Sequence, residues 1–219
     1  MWSGSTVKIR AIVISLFFLG RLASGVFTGP PAFAQGEEDF ELSQNRSGGI
    51  TITGYKGEAK DVIIPQTVGG LPVTAIGNKA FYRGDLTSVT IPGTVTVIEP
   101  LAFAENRLDS VDLPGIVSIG YEAFAGNRLT RAVFSGDLTS IGQRAFMNNQ
   151  LASVSLPGRV SNIGLGAFAG NPLVSITLGV NRNIAASQGF DPSFVNYYIS
   201  GGRRAGLYVK EDRVWSLRE

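Results

Sequence analysis

The side chains that most often carry chemistry are scarce here. Histidine and cysteine are absent from all 219 residues. Nucleophilic schemes built on Ser-His-Asp or Cys-His therefore lack a base or a thiol, and the usual zinc ligands are missing. Carboxylates are present, and splitting a glycosidic bond needs two that face each other. The nearest pair on one extended segment is Asp109 and Asp112, and alternation along a strand sends such a pair to opposite faces. No phosphate-cradling glycine loop, dinucleotide fingerprint or Asp-rich calcium loop occurs. The sequence predicts a protein that binds without catalysing, with no cofactor and no metal. What it offers for binding is a set of small hydroxyls and two opposite charges at a repeated spacing: Ser88 and Thr90, Ser110 and Asp112, Arg131 and Val133, Ser153 and Ser155, Ser175 and Thr177.

Those residues are positioned by a repeat. Alanine-phenylalanine pairs stand at Ala80-Phe81, Ala102-Phe103, Ala123-Phe124, Ala145-Phe146 and Ala167-Phe168. Their phenylalanines are 22, 21, 22 and 22 residues apart, and Phe190 follows 22 later. Ahead of each pair stands an isoleucine: Ile76, Ile98, Ile119, Ile141 or Ile163. Leu86, Leu108, Leu129, Leu151 and Leu173 open short segments that continue through Val89/Ile91, Val111/Leu113, Ala132/Phe134, Val154/Leu156 and Ile176/Leu178. A fixed period of this length, kept at many apolar slots at once, marks a stacked array of coils.

The coil from Asn106 to Phe124 shows the physics. Leu108, Val111 and Leu113 are predicted to point to one side and Ser110 and Asp112 to the other, as in a strand with one buried face. Pro114-Gly115 then turns the chain, and Ile119 returns to the core. Tyr121 to Ala125 leaves room for about one helical or 3₁₀ turn. Ala123 permits close approach of the neighbouring coil, and Phe124 fills the centre. One coil cannot bury its apolar side alone; stacking buries it, with parallel strands about 4.8 Å apart. Asn106, Asn127, Asn149 and Asn171 recur just ahead of the strand leucines. In register, their side chains are expected to satisfy backbone groups of the adjacent turn that water cannot reach.

The spacing of Leu, Val and Leu with a recurring Asn looks like a leucine-rich repeat. Strands ending in Ile91-Pro92, Leu113-Pro114 and Leu156-Pro157, each leading on to an isoleucine and then Ala-Phe, resemble the BspA-type leucine-rich repeats of bacterial surface proteins. The resemblance spans roughly residues 50 to 190. It implies a leucine-rich-repeat solenoid of short parallel strands with one-turn helical or 3₁₀ segments, 22 residues to most coils, and β-hairpin caps at both ends. The last copy departs from the pattern, since Ile184 lies six residues before Phe190 and Ala has become Gly189. It also implies attachment to host matrix proteins or to other bacteria.

The two ends read differently from the middle. Lys8 and Arg10, the apolar run 11–20 and Ala32-Phe33-Ala34 form a secretory signal pattern over residues 1–34. Lys8, Arg10 and Arg21 are three of the 19 basic residues, so residues 35–219 carry 16 against 17 acidic, a net of −1. Nothing in that balance attracts nucleic acid or a membrane surface, and membrane contact is expected only through the signal segment. Residues 35–60, with Phe40, Leu42, Ile50 and Ile52 around the 45–49 turn, are expected to form a capping hairpin. Residues 61–190 are the repeats. Residues 191–219 are expected to form a C-terminal β cap, with strands at 195–200, 205–210 and 214–217 carrying Tyr197, Tyr198, Tyr208 and Trp215. This part resembles the aromatic, Gly-rich segment that follows such repeats in treponeme-type members. Beside Arg203, Arg204, Lys210 and Arg213, the four aromatics could instead form a glycan- or peptide-binding platform.

The expected function is that of an exported, non-enzymatic binding protein of the bacterial surface, located at the cell surface, in the periplasm or outside the cell. Its ligand is expected to be a protein, with a glycan as the second class, and two intact caps favour a monomer. The alternatives are a structural component of the envelope and a released effector.

Overall fold

Each coil turns its alternating Leu, Val and Ile inward at two short strands and bends at the Pro-Gly and Ile-Gly corners. The computed structural model describes residues 36–179, 189–202 and 205–218; the signal pattern at 1–34, Ile184, Arg203 and Arg204 lie outside these. Its elements are β1 (Phe40–Gln44), β2 (Ile50–Tyr55), β3 (Asp61–Ile63), β4 (Thr67–Val68), β5 (Leu71–Ile76), β6 (Ser88–Thr90), β7 (Val97–Ile98), β8 (Ser110–Leu113) and β9 (Ser118–Ile119). There follow β10 (Arg131–Phe134), β11 (Ser140–Ile141), β12 (Ser153–Leu156), β13 (Asn162–Ile163), β14 (Ser175–Leu178), α1 (Pro192–Ser200), β15 (Gly206–Glu211) and β16 (Val214–Arg218).

Two rows of strands run along the stack. β5, β7, β9, β11 and β13 pair in parallel, and their register sets Ile76, Ile98, Ile119, Ile141 and Ile163 side by side. The β1–β2 hairpin extends this sheet at its N-terminal edge, β2 pairing in parallel with β5. The second row holds β3, β6, β8, β10, β12 and β14, with the β15–β16 hairpin added antiparallel to β14. A hairpin therefore closes each end on a different row.

Between the rows lies a single core. Phe81, Phe103, Phe124, Phe146, Phe168 and Phe190 form a file of near-parallel rings, with centroids 5.0–5.4 Å apart and planes within 4–10°. Phe40 and Tyr55 meet the first ring, and Phe194 meets the last. Val95, Ile116, Leu138 and Val160, in the turns after the strands, form a further buried file. The 121–125 corner holds successive 3₁₀-type bonds, Ala123 N–H to Gly120 O and Ala125 N–H to Glu122 O. Between them, Glu122, Phe124 and Gly126 donate to the next coil at Gln143, Ala145 and Met147. Aiming alternate amides along the stack forces left-handed backbone at two residues per corner: Leu101 and Glu105, Glu122 and Gly126, Arg144 and Asn148, Gly166 and Gly170.

The asparagines act as expected. Asn127 Oδ1 accepts from Leu108 N–H at 3.1 Å, and its Nδ2 donates to Phe103 O at 2.9 Å and Phe124 O at 3.1 Å. Asn106, Asn149 and Asn171 repeat this arrangement one coil apart. Each one ties two coils together, and Asn106, Asn127 and Asn149 do so buried from water.

The C-terminal cap is corrected in one part. The strand expected at 195–200 is the helix α1. Asp191 caps it, its Oδ1 accepting from Ser193 N–H at 2.8 Å, and Pro192 takes the first helical position, where no N–H is needed. Phe194, Val195 and Tyr198 then fall on one buried face at helical spacing. The two strands expected after it are present as β15 and β16.

Candidate interaction surface

The solvent side of the second row is built by alternation. In β8 and β12 the burial runs exposed, buried, exposed, buried, so Ser110, Asp112, Ser153 and Ser155 face outward while Val111, Leu113, Val154 and Leu156 are covered. Ser88, Thr90, Arg131 and Val133 are exposed as well. Ser175 and Thr177 are only half-exposed, because β15 lies alongside β14 with Val209 beside Ser175 and Leu207 beside Thr177. The stripe is therefore open over four strands and narrows at the C-terminal cap.

Register brings its charges together. Arg131 stands beside Ser110 and Val133 beside Asp112 across the β8–β10 ladder. Arg131 reaches diagonally, its Nη1 donating to Asp112 Oδ1 at 2.9 Å. Both side chains stay mostly in solvent, at 59% and 62% exposure, so the pair contributes little to stability and can exchange partners. Asp109 stands just ahead of β8 and is exposed like Asp112, so the alternation expected to separate the two does not reach it.

The ladder of this row is interrupted twice. β6 packs beside β8, and β10 beside β12, yet neither couple forms a strand pairing. In the first seam lies a shallow depression of about 180 Å³, lined by Val89, Thr90, Ile91, Ser110, Asp112 and Pro114.

Two exposed residues at the N-terminal end of the row escaped sequence reasoning. Asp61 and Ile63 of β3 stand beside Ser88 and Thr90, and Ile63 is 66% exposed. The carboxylate of Asp61 accepts from Thr87 Oγ1 and Ser88 Oγ, both at 2.8 Å, which holds its pKa below the ordinary aspartate range. The spacing from Asp61 to Ser88 is longer than the repeat period, so counting back from the other coils misses it. The Val62-Ile64 alternation was the available signal.

The aromatic platform is not formed. Tyr198, Tyr208 and Trp215 are 2–3% exposed and pack around Phe194, while Tyr197 is half-buried and its hydroxyl accepts from Leu217 N–H. Large apolar rings are needed to close the core beyond Phe190, and that need turns them inward. These residues are the end of the core.

Among the described residues no three His, Cys, Asp or Glu gather where they could hold a metal ion. No helix among them is long and apolar enough to cross a membrane. The geometry offers complementary charges and hydroxyls on a strand-lined face.

The chain matches no curated protein. Among solved structures it is similar to a leucine-rich repeat protein from Bacteroides ovatus, with 24% identity, a TM-score of 0.59 and coverage of 69% of this chain. It spans only 42% of that protein's length. It is also similar to a leucine-rich repeat protein of Treponema pallidum, at 24% identity and TM-score 0.48, covering 65% of this chain and 70% of that one. A leucine-rich cell surface protein from Faecalibacterium prausnitzii gives 24% identity and TM-score 0.37 over 86% of this chain and 61% of its own. The family described as BspA type Leucine rich repeat region matches residues 74–193 in six copies. With more than half of its length carrying that repeat, and with the stacked coils to match, the chain belongs to the BspA-type leucine-rich repeat family.

Proposed function

We propose that this is an exported bacterial surface protein that binds another protein, on a host matrix or on a neighbouring bacterium, through the outward side of β6, β8, β10, β12 and β14. The observation that carries the reading is the strand-lined face itself. It is open across four coils and carries Ser88, Thr90, Ser110, Asp112, Arg131, Val133, Ser153 and Ser155 outward, with Ser110 and Asp112 in register with Arg131 and Val133. Strand-lined faces of stacked repeats are extended surfaces on which such arrays bind partners. Small hydroxyls leave a flat surface with many hydrogen-bonding groups, and the Arg131–Asp112 ion pair on it is exchangeable. The lack of large aromatic anchors suits a contact spread over several coils rather than one hot spot. Residues 1–34 direct export and are removed, residues 35–60 and 191–219 serve as caps, and the protein acts as a monomer without a catalytic centre.

Photo-crosslinking tests the reading. Benzoylphenylalanine placed at Val133 or Ser155 is expected to capture surface or matrix proteins from whole-cell and matrix preparations. The same group at Val97 or Leu165, which are exposed elsewhere on the stack, should capture none of them. Capture from the latter positions alone would reject the strand face. Mass spectrometry of the N-terminus in cell fractions tests export: a chain that retains residues 1–34 and is shielded from protease in intact cells overturns that part.

A further inference from the structure

We propose that the depression between β6 and β8 receives one basic side chain, arginine or lysine, of the partner protein, and that Arg131 holds Asp112 in its place until the partner arrives. This rests on the reading of the strand face as the binding surface.

Size is the first argument. The depression of about 180 Å³ is smaller than the roughly 300–1,000 Å³ of a pocket for a small molecule, and it has the room of one long side chain. Its lining has two characters. Val89, Ile91 and Pro114 are apolar and suit a methylene stem. Thr90, Ser110 and Asp112 carry oxygen acceptors, and Asp112 is the sole ionisable group among the lining residues. An acidic side chain would meet that carboxylate as a like charge. An apolar one would cover the oxygens of Thr90, Ser110 and Asp112 without offering them a donor. An amphipathic cation satisfies both halves of the lining.

The seam supplies a further reason. Because β6 and β8 are not laddered, the facing edges of Ser88–Thr90 and Ser110–Leu113 lack the regular pairing that joins β8 to β10. A guanidinium or ammonium group has several N–H donors and no acceptor, so it can take a carbonyl on such an edge together with the carboxylate. Asp61, on the strand paired with β6, adds a second negative charge to the same side. Arg131 already shows what Asp112 accepts: a guanidinium nitrogen at 2.9 Å, bound to one of its two oxygens and exposed enough to leave. Arg131 itself does not line the depression.

The test uses the whole protein and three blocked tripeptides, Gly-Arg-Gly, Gly-Glu-Gly and Gly-norleucine-Gly, titrated while backbone amide NMR shifts are followed. The arginine peptide is expected to move the signals of residues 89–91 and 110–113, with the other two leaving them in place. Arg131→Gln should tighten the arginine peptide by about three- to fivefold, because the resident competitor is gone. Asp112→Asn should abolish the response. Both side chains are exposed, so both variants keep the parent's melting temperature. Equal shifts from all three peptides, shifts confined to other residues, or unchanged affinity in Arg131→Gln would overturn the proposal. Its failure can be told from failure of the surface itself. If Asp112→Asn binds the protein crosslinked from Val133 with the parent's affinity, the face binds and the pocket assignment is wrong.

Discussion

Asn127 shows how one side chain fastens a stack. Its oxygen accepts the Leu108 amide and its nitrogen serves the Phe103 and Phe124 carbonyls, all out of contact with water. Replacing it by alanine strands those groups, so Asn127→Ala is expected to cost about 2–4 kcal/mol in urea unfolding. Asn127→Asp keeps the acceptor and turns a carboxylate toward two carbonyls, which raises its folded pKa above the unfolded one. A raised carboxyl pKa means the folded state binds more protons, so this variant gains stability as pH falls. Unfolding at pH 7 and pH 4 checks the sign. The role of these asparagines was legible because their recurrence fixed them at one position in every coil. The two seams were not legible: the side-chain alternation of β6 and β10 matches that of their neighbours and says nothing about which backbones pair.

Glycines at the Ile-Gly corners set how closely elements approach. A Cβ on Gly164 would lie 2.2 Å from Gln143 N, a backbone atom with nowhere to go. Gly164→Ala is therefore expected to cost about 1–3 kcal/mol or more in thermal or urea unfolding, despite the higher intrinsic preference for alanine. Helix α1 carries its own test. Ser193 donates to Asp191 from both its hydroxyl and its amide, and these bonds hold the Asp191 pKa below the ordinary range. The stability this carboxylate contributes is complete above about pH 4, the unfolded aspartate value, and is lost as pH falls through the lower folded value. Asp191→Asn should remove that part of the acid dependence in melts between pH 5 and pH 2. The helix was hard to see in the sequence because Val195, Tyr197, Tyr198 and Ile199 favour strands locally. Its Asp-Pro start was the signal that outweighed them. The left-handed residues at the corners were hidden for a similar reason: Leu101 and Glu105 are not glycines, and only the inter-coil bonds demand that conformation.

Across the whole molecule the aromatic file and the strand rows share one requirement, a partner at each end. Phe40 and Tyr55 close one end of the file, and Phe194, Tyr198, Tyr208 and Trp215 close the other. Deleting residues 191–219 strips β14 of its antiparallel neighbour and uncovers Phe190, so the shortened chain is expected to self-associate in light scattering where the parent does not. With both ends closed, the open surface left to a partner is lateral. The measurement that tests this most directly is binding of the crosslinked partner to charge variants of equal melting temperature. Asp112→Arg and Ser153→Arg on the strand face should each weaken binding tenfold or more, which is about 1.4 kcal/mol. Gln143→Arg on the corner face should leave it unchanged. Loss of binding in Gln143→Arg with full binding in the two strand-face variants would contradict a role for that face.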